Sequence, residues 1–270
     1  MKISLAASDV SQDFETAVEL GYEWGIRDFE LRHVFSRRVP DISDEEEQRI
    51  IRVIKEYNVN ITAISPGLFK IPLISQKLKD HLKVRLPDSF RLAEKLGTNM
   101  VIVMGGIKSK GEKREGAMGE IVDVLQKAAK RAQKVGMILA LENEDICWAD
   151  TGRNTAQIIK MVDSPALKIN WDPGNAFGFD EQPYPAGYNY VKDHIVNVHV
   201  KDALINGKTN LKKYVVLGEG NIDWHSQVEA LKNDGYEGYL SIEAHVSPRV
   251  KSSYRCYQWL RETLEKIKEN

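Results

Sequence analysis

Hydrophobic positions along this chain recur in two alternating modes. A short, mostly apolar run is followed by a longer stretch in which apolar positions return every three or four residues, and the pair repeats along the whole length. The first mode reads as strand and the second as amphipathic helix, so the chain predicts repeated βα units and not separate strand and helix regions. Eight strands are expected, at Ile3–Ala7, Arg27–Arg32, Asn60–Ser65, Met100–Gly105, Met137–Glu142, Leu167–Asp172, Ile195–Val200 and Tyr239–Ala244. Helical patterns occupy 11–25, 43–57, 77–97, 115–136, 154–162, 187–194, 223–235 and 252–270. Ser43 before an acidic first turn is a start signal, and Gly97, Gly136 and Gly235 just past helical stretches are stop signals.

Eight βα units in 270 residues fit a (β/α)8 barrel, a single domain over 1–270, with ligands gathered at the C-terminal ends of the strands. No Pro/Ser-rich linker divides the units, and no sequence repeat of fixed period underlies them. The competing fold, a doubly wound open sheet, would place a Gly-rich turn after the first strand. That position reads "AASDVS", without glycine.

Side chains alternate across a strand, so parity sorts residues by face. In the fifth strand Glu142 shares its parity with Ile138 and Ala140, opposite Leu139 and Leu141. In the sixth, Asp172 goes with Lys168 and Asn170, opposite Ile169 and Trp171. In the seventh, His199 goes with Ile195, Asn197 and Lys201, opposite Val196, Val198 and Val200. In the eighth, Glu243 goes with Tyr239 and Ser241, opposite Leu240 and Ile242. The apolar parity suits burial under helices, so Glu142, Asp172, His199 and Glu243 are expected to face inward at one rim. Three carboxylates cannot converge in a dry interior without compensation. Either a divalent cation (Mn, Mg, Co or Zn) sits among them, held by oxygen and one imidazole, or Lys201, Lys168 and neighbouring arginines form a rim salt-bridge network.

Charge and cysteine content narrow the classes. Lys+Arg 38 against Asp+Glu 39 gives no net pull toward nucleic acid or anionic lipid. No apolar run is long enough for a signal peptide or a membrane span, so the expectation is a cytoplasmic protein without nucleic-acid or membrane partners. Cys147 and Cys256 stand far apart and outside metal spacing, which predicts reduced thiols. A homodimer is the base-rate expectation.

The segments "FELRH", "LALEN", "INWDPGNAFG", "VNVHVKDA", "VLGEGNIDW" and "YLSIEAH", in this order and spacing, resemble those of the sugar phosphate isomerase/epimerase family, the xylose isomerase-like (β/α)8 barrels. The resemblance implies one divalent cation held by Glu142, Asp172, His199 and Glu243. It implies a small carbohydrate substrate, and proton transfer by Glu142 and Glu243 next to a polarised carbonyl through an enediolate. Return of the proton gives isomerisation or epimerisation; a leaving group β to the carbanion would give elimination, the lyase or dehydratase alternative. The family also holds DNA-repair endonucleases, but the remaining histidines (His33, His81, His194, His225, His245) lie mostly on expected loops or helices, so a three-metal cluster is not expected. Ketose 3-epimerases carry a glutamate, a histidine and an arginine where this chain has Trp148, Asn175 and the "KDALINGK" segment, so the likeness to that branch is partial.

Other residues are expected to line the pocket. Glu30 and Arg32 share inward parity and either bind substrate hydroxyls or pair with each other. Asn175, after the "DPG" turn, faces the mouth. Lys201 holds a phosphate or serves as counter-ion to Asp202 or Glu219. Glu219, in the "GEG" turn, is a substrate contact. Trp148 stacks on a sugar ring or anchors its loop. His245 lies two residues beyond Glu243 and is expected at the surface, and Lys108–Gly116 reads as a solvated loop.

Overall fold

The computed structural model describes residues 1–269 apart from Glu112, Lys208 and Asn210. The expectations that touch Glu112, Lys208 and Asn270 therefore lie partly outside the described residues. Eight parallel strands, β1 (Lys2–Ala6), β2 (Asp28–Leu31), β3 (Asn60–Leu68), β4 (Met100–Met104), β5 (Ile138–Glu142), β6 (Leu167–Trp171), β7 (Ile195–Val200) and β8 (Tyr239–Ile242), close into a barrel in which β1 pairs with both β2 and β8. The helices between them are α1 (Phe14–Trp24), α2 (Asp44–Tyr57), α3 (Leu86–Lys95), α4 (Arg114–Lys134), α5 (Gly152–Val162), the short α6 (Tyr188–Val191), α7 (Trp224–Asn233) and α8 (Arg249–Glu269).

Local chemistry explains the boundaries. Ser43 caps α2 in a capping box with Glu46, and Gly25, just past α1, takes φ 93°, a left-handed conformation that costs glycine little. The helix expected over 77–97 is interrupted: a turn at Lys77–Asp80 leads into a widened turn at His81–Arg85 before α3. Pro87, at the start of α3, has no N–H to offer the preceding turn.

The core divides as parity demands. Leu139, Leu141, Ile169, Trp171, Val198, Val200, Leu240 and Ile242 pack between sheet and helices. Inside the cylinder lie a small apolar cluster, with Ala63, Ile102, Met104 and Ala140, and a buried polar layer that includes Ser4, Thr62, Asn170, Asn197 and Ser241. One parity assignment is corrected. The β6–β7 register shifts so that Ile169 pairs with Ile195 and Asn170 with Asn197, leaving Val196 as an extra residue. Ile195 therefore belongs to the outer core and Val196 packs on the inner cluster. Such a bulge bends a strand and re-aims the side chains beyond it, and from Asn197 onward the inward assignment holds.

Two antiparallel ribbons stand outside the barrel sheet, one of His33–Val34 with Arg37–Arg38, the other of Asp202–Ile205 with Lys212–Val215. Asp202, 1% exposed, ties the second ribbon to the "GEG" turn. Its Oδ1 accepts from Ala203 N (2.8 Å) and Ile222 N (3.4 Å), and its Oδ2 from Gly218 N and Gly220 N (both 3.0 Å). Removing the carboxylate strands these donors, and each buried unsatisfied N–H costs about 1–3 kcal/mol. Asp202→Ala is expected to lower stability by roughly 3 kcal/mol or more, which for a domain of this size lowers Tm by roughly 6–12 °C. A calorimetric scan showing an unchanged Tm would refute this anchoring role.

Candidate metal centre

The four residues expected at the rim do meet. Glu142 closes β5, Asp172 and Glu243 come directly after β6 and β8, and His199 lies in β7. One ligand atom from each lies within 4.8 Å of the others, and all four residues are buried. His199 Nδ1 is 3.4 Å from Glu142 Oε1, 3.5 Å from Glu243 Oε2 and 3.8 Å from Asp172 Oδ2.

Neighbours fix each of them. Asp172 caps the short turn Pro173–Ala176 through Asn175 N (2.9 Å), and Asn143 clamps its backbone, accepting from Asp172 N (2.8 Å) and donating to Asp172 O (2.7 Å). Asn175 Nδ2 donates to Glu142 Oε1 (3.2 Å) and Asn143 O (3.0 Å). Arg32 forms an ion pair with Glu243 Oε1, and His245 Nε2 lies 3.3 Å from the same oxygen. Beneath His199, the Glu30 carboxylate lies 2.9 and 3.1 Å from Nε2 and also accepts from Ser241 Oγ (3.2 Å).

The salt-bridge reading is realised in part. Lys201 Nζ lies 2.8 Å from Asp172 Oδ2 and 2.7 Å from Glu243 Oε2, and it donates to Asn175 Oδ1 (3.3 Å). Lys168 takes no part; it lines a separate cavity with Tyr190 and His194. Lys201 and Arg32 together set two positive charges against the four carboxylates of Glu30, Glu142, Asp172 and Glu243, which leaves a deficit of two with a neutral imidazole. The titration tendencies express this imbalance. Burial opposes the imidazolium of His199, yet Glu30, Glu142 and Glu243 raise it well above its ordinary value. Burial likewise opposes ionisation of Glu243, but Lys201, Arg32 and His199 hold it well below the usual carboxylate range. For Asp172 burial wins and its carboxyl is pushed up, against the pull of Lys201 and His199.

A divalent cation fits this donor set. His199 Nδ1 and Asp172 Oδ2 are both buried without a hydrogen-bond partner, although the Lys201 ammonium lies near the latter out of hydrogen-bond alignment. The charge deficit equals the charge of such an ion, and three oxygens with one nitrogen suit Zn²⁺ or the harder divalent ions. Glu30 on Nε2 leaves the Nδ1 lone pair for the ion, the arrangement by which a carboxylate sets the tautomer of a ligating histidine.

Glu142 and Glu243 of the cluster line the floor of a cavity of about 300 Å³, with Asp172 and His199 buried behind them. Arg32, Asn175, Lys201 and His245 line it, as do His33, Arg38, Ser65, Lys70, Glu144 and Tyr214, which strand parity does not single out. Their signal is weak: His33, Arg38 and Tyr214 sit on the ribbons, and Lys70 and Glu144 lie just past the ends of β3 and β5. His245 turns into the mouth with φ 54°, a correction to its expected surface position.

Three expected substrate contacts are corrected. Glu30 is 1% exposed and lies against His199 from below, and the Arg32 expected beside it pairs with Glu243 instead. Trp148 is buried in the core, its N–H donating to Gly106 O (3.0 Å) and its carbonyl accepting from Arg114 (2.6 Å), which makes it a loop anchor. Glu219 points to solvent and pairs with Arg255. Lys201 pairs with neither Asp202 nor Glu219.

Comparison with known proteins places this geometry in context. The family model described as "Xylose isomerase-like TIM barrel" matches residues 14–266. L-ribulose-5-phosphate 3-epimerase UlaE of Escherichia coli is 24% identical over 211 residues, covering 75% of this chain and 71% of that protein. Inosose dehydratase of Lacticaseibacillus casei is 25% identical over 138 residues, 46% of each chain, so the match spans just under half the length of that relative. Among solved structures, the IolI protein with a bound zinc atom superposes with a TM-score of 0.81 at 18% identity, covering 99% of this chain and 98% of that one.

Glu30→Gln removes the anionic acceptor behind His199 while keeping its shape. It is expected to weaken divalent-cation binding by about 10–100-fold, read by competition with a chromophoric chelator. An unaltered affinity would show that Glu30 does not orient the imidazole.

Proposed function

The chain belongs to the family of xylose isomerase-like TIM barrels, and on that premise we propose that it is a divalent-metal-dependent isomerase or epimerase of a small carbohydrate or sugar phosphate. The observation that carries the reading is the meeting of Glu142, Asp172, His199 and Glu243 beside the cavity, with His199 Nδ1 buried and without a hydrogen-bond partner. UlaE, a 3-epimerase by name, supports the reaction type.

A divalent cation held by these four residues would polarise a substrate carbonyl and make the adjacent C–H acidic. The chain's own groups supply the rest. Glu142 and Glu243 approach His199 Nδ1 from different strands, and a carboxylate from either side can take a proton from carbon and the other can return it. Asn175 and Arg32 orient these two carboxylates through Glu142 Oε1 and Glu243 Oε1. Burial keeps bulk water off the floor, so a carbanion formed there is not quenched at random.

A second reading has its own support. The inosose dehydratase match names an elimination, and above the floor stand Lys201 and Tyr214, whose ionised phenolate is disfavoured by burial, as proton donors for a departing hydroxyl.

Two measurements test the proposal. Chelation and then dialysis are expected to abolish turnover, and readdition of Mn²⁺, Mg²⁺, Co²⁺ or Zn²⁺ to restore it; activity indifferent to chelation would sink the metal-dependent reading. Glu243→Gln is expected to lower kcat by about 10²–10⁴. In deuterated water, label incorporated into a ketose or its epimer marks isomerisation, and an unsaturated product marks elimination.

A further inference from the structure

We propose that the substrate carries a terminal anionic group, a carboxylate or a phosphate monoester, and that Arg38 receives it; this rests on the reading of the cavity as the reaction site. Each other basic residue drawn to the mouth already has an acid. Arg32 pairs with Glu243, Lys70 with Glu144 (2.6 Å), Lys201 with Asp172 and Glu243, and Lys212 with Asp145 (3.3 Å). Arg38 has no carboxylate within 4.0 Å among the described residues. Its hydrogen bonds there run from Nε to Ser65 O (3.1 Å) and from Nη2 to Ser65 Oγ (3.5 Å); Nη1 makes none among the described residues, and the side chain lines the cavity.

The guanidinium is seated, not loose. It lies against the backbone of Gly67, where a methyl group would come within 2.7 Å of Cζ, and Gly67 holds φ +70°, so the seat depends on a residue without a side chain. Burial, with Arg32 beside it, lowers its affinity for its proton against the opposing pull of Glu142 and Glu243. A planar guanidinium with an open edge matches the paired oxygens of a carboxylate or phosphate.

Arg38 also stands at a junction. It and Lys70 line both the cavity over the metal centre and a neighbouring one of about 470 Å³ whose wall includes Lys77 and Arg85. Arg85 is already paired with Asp41 (2.5 Å). A substrate whose carbonyl lies over Glu142 and Glu243 therefore meets the Arg38 guanidinium on the wall shared with that neighbouring cavity, which Asp80 also lines. A cavity of about 300 Å³ restricts that substrate to a small molecule.

The test monitors the Arg38 Nε–Hε resonance in the full chain saturated with Mg²⁺, assigned through Arg38→Met. Titrations use inorganic phosphate and, separately, glycolate as a small carboxylate; Arg255→Met, on the outer surface, is the control. The expected result is a saturable shift with one or both anions and, by titration calorimetry of the same proteins, binding weakened about tenfold or more in Arg38→Met but not in the control. A shift with phosphate alone assigns a phosphate ester, and with glycolate alone a carboxylate. A resonance that moves with neither anion overturns the proposal. So does a neutral ketose turned over equally well by wild type and Arg38→Met. If Arg38 binds the anion but no substrate of either class exchanges its proton in deuterated water, the isomerase reading falls while the anion subsite stands.

Discussion

Like charges gathered out of water govern this molecule. Three carboxylates and an imidazole nitrogen share a space less than 5 Å across, with a fourth carboxylate behind the imidazole. In so dry a place their mutual repulsion exceeds what isolated hydrogen bonds return. Only a closed cylinder delivers side chains from four successive strands to one point, and only tight clamping by groups such as Asn143 and Asn175 keeps them there. Lys201 and Arg32 offset part of the charge. The remainder is a residual negative potential at a buried point, an environment that suits a compact, doubly charged ion.

Much of this was legible as alternation. Strand period and helix punctuation gave all eight units, and parity at the ends of β5 to β8 brought out Glu142, Asp172, His199 and Glu243. Height was not legible. Barrel strands tilt and stagger, so two residues of the same inward parity need not lie at the same depth. Glu30 illustrates this: its parity resembles that of a rim residue, while its carboxylate sits beneath His199, against Ser241. Val196 shows a second blind spot, since one extra residue inverts the parity of the start of a strand without leaving any mark in composition.

Residues contributed by irregular segments were harder still. Arg38 lies in a two-residue strand, too short for alternation to declare it, and His245 enters the mouth only through a left-handed backbone turn. Lys201 misled for a different reason. Its sequence neighbour Asp202 was the natural partner on paper, but adjacent residues of an extended chain point to opposite sides. Asp202 turns to the backbone of the "GEG" turn, while Lys201 turns to the cluster.

The two ribbons have a bearing on how such a protein diversifies. Arg38 and His33 ride on one, Lys212 and Tyr214 on the other, and neither ribbon joins the hydrogen-bonded ladder of the cylinder. Apart from Asp202, whose carboxylate anchors the second ribbon, their residues can be exchanged or recharged without re-registering a stave, whereas a change beside Glu142 or Asp172 disturbs the scaffold itself. On the reading proposed for the cavity, preference for one small molecule over another is thus free to drift on the appendages while the barrel floor stays put.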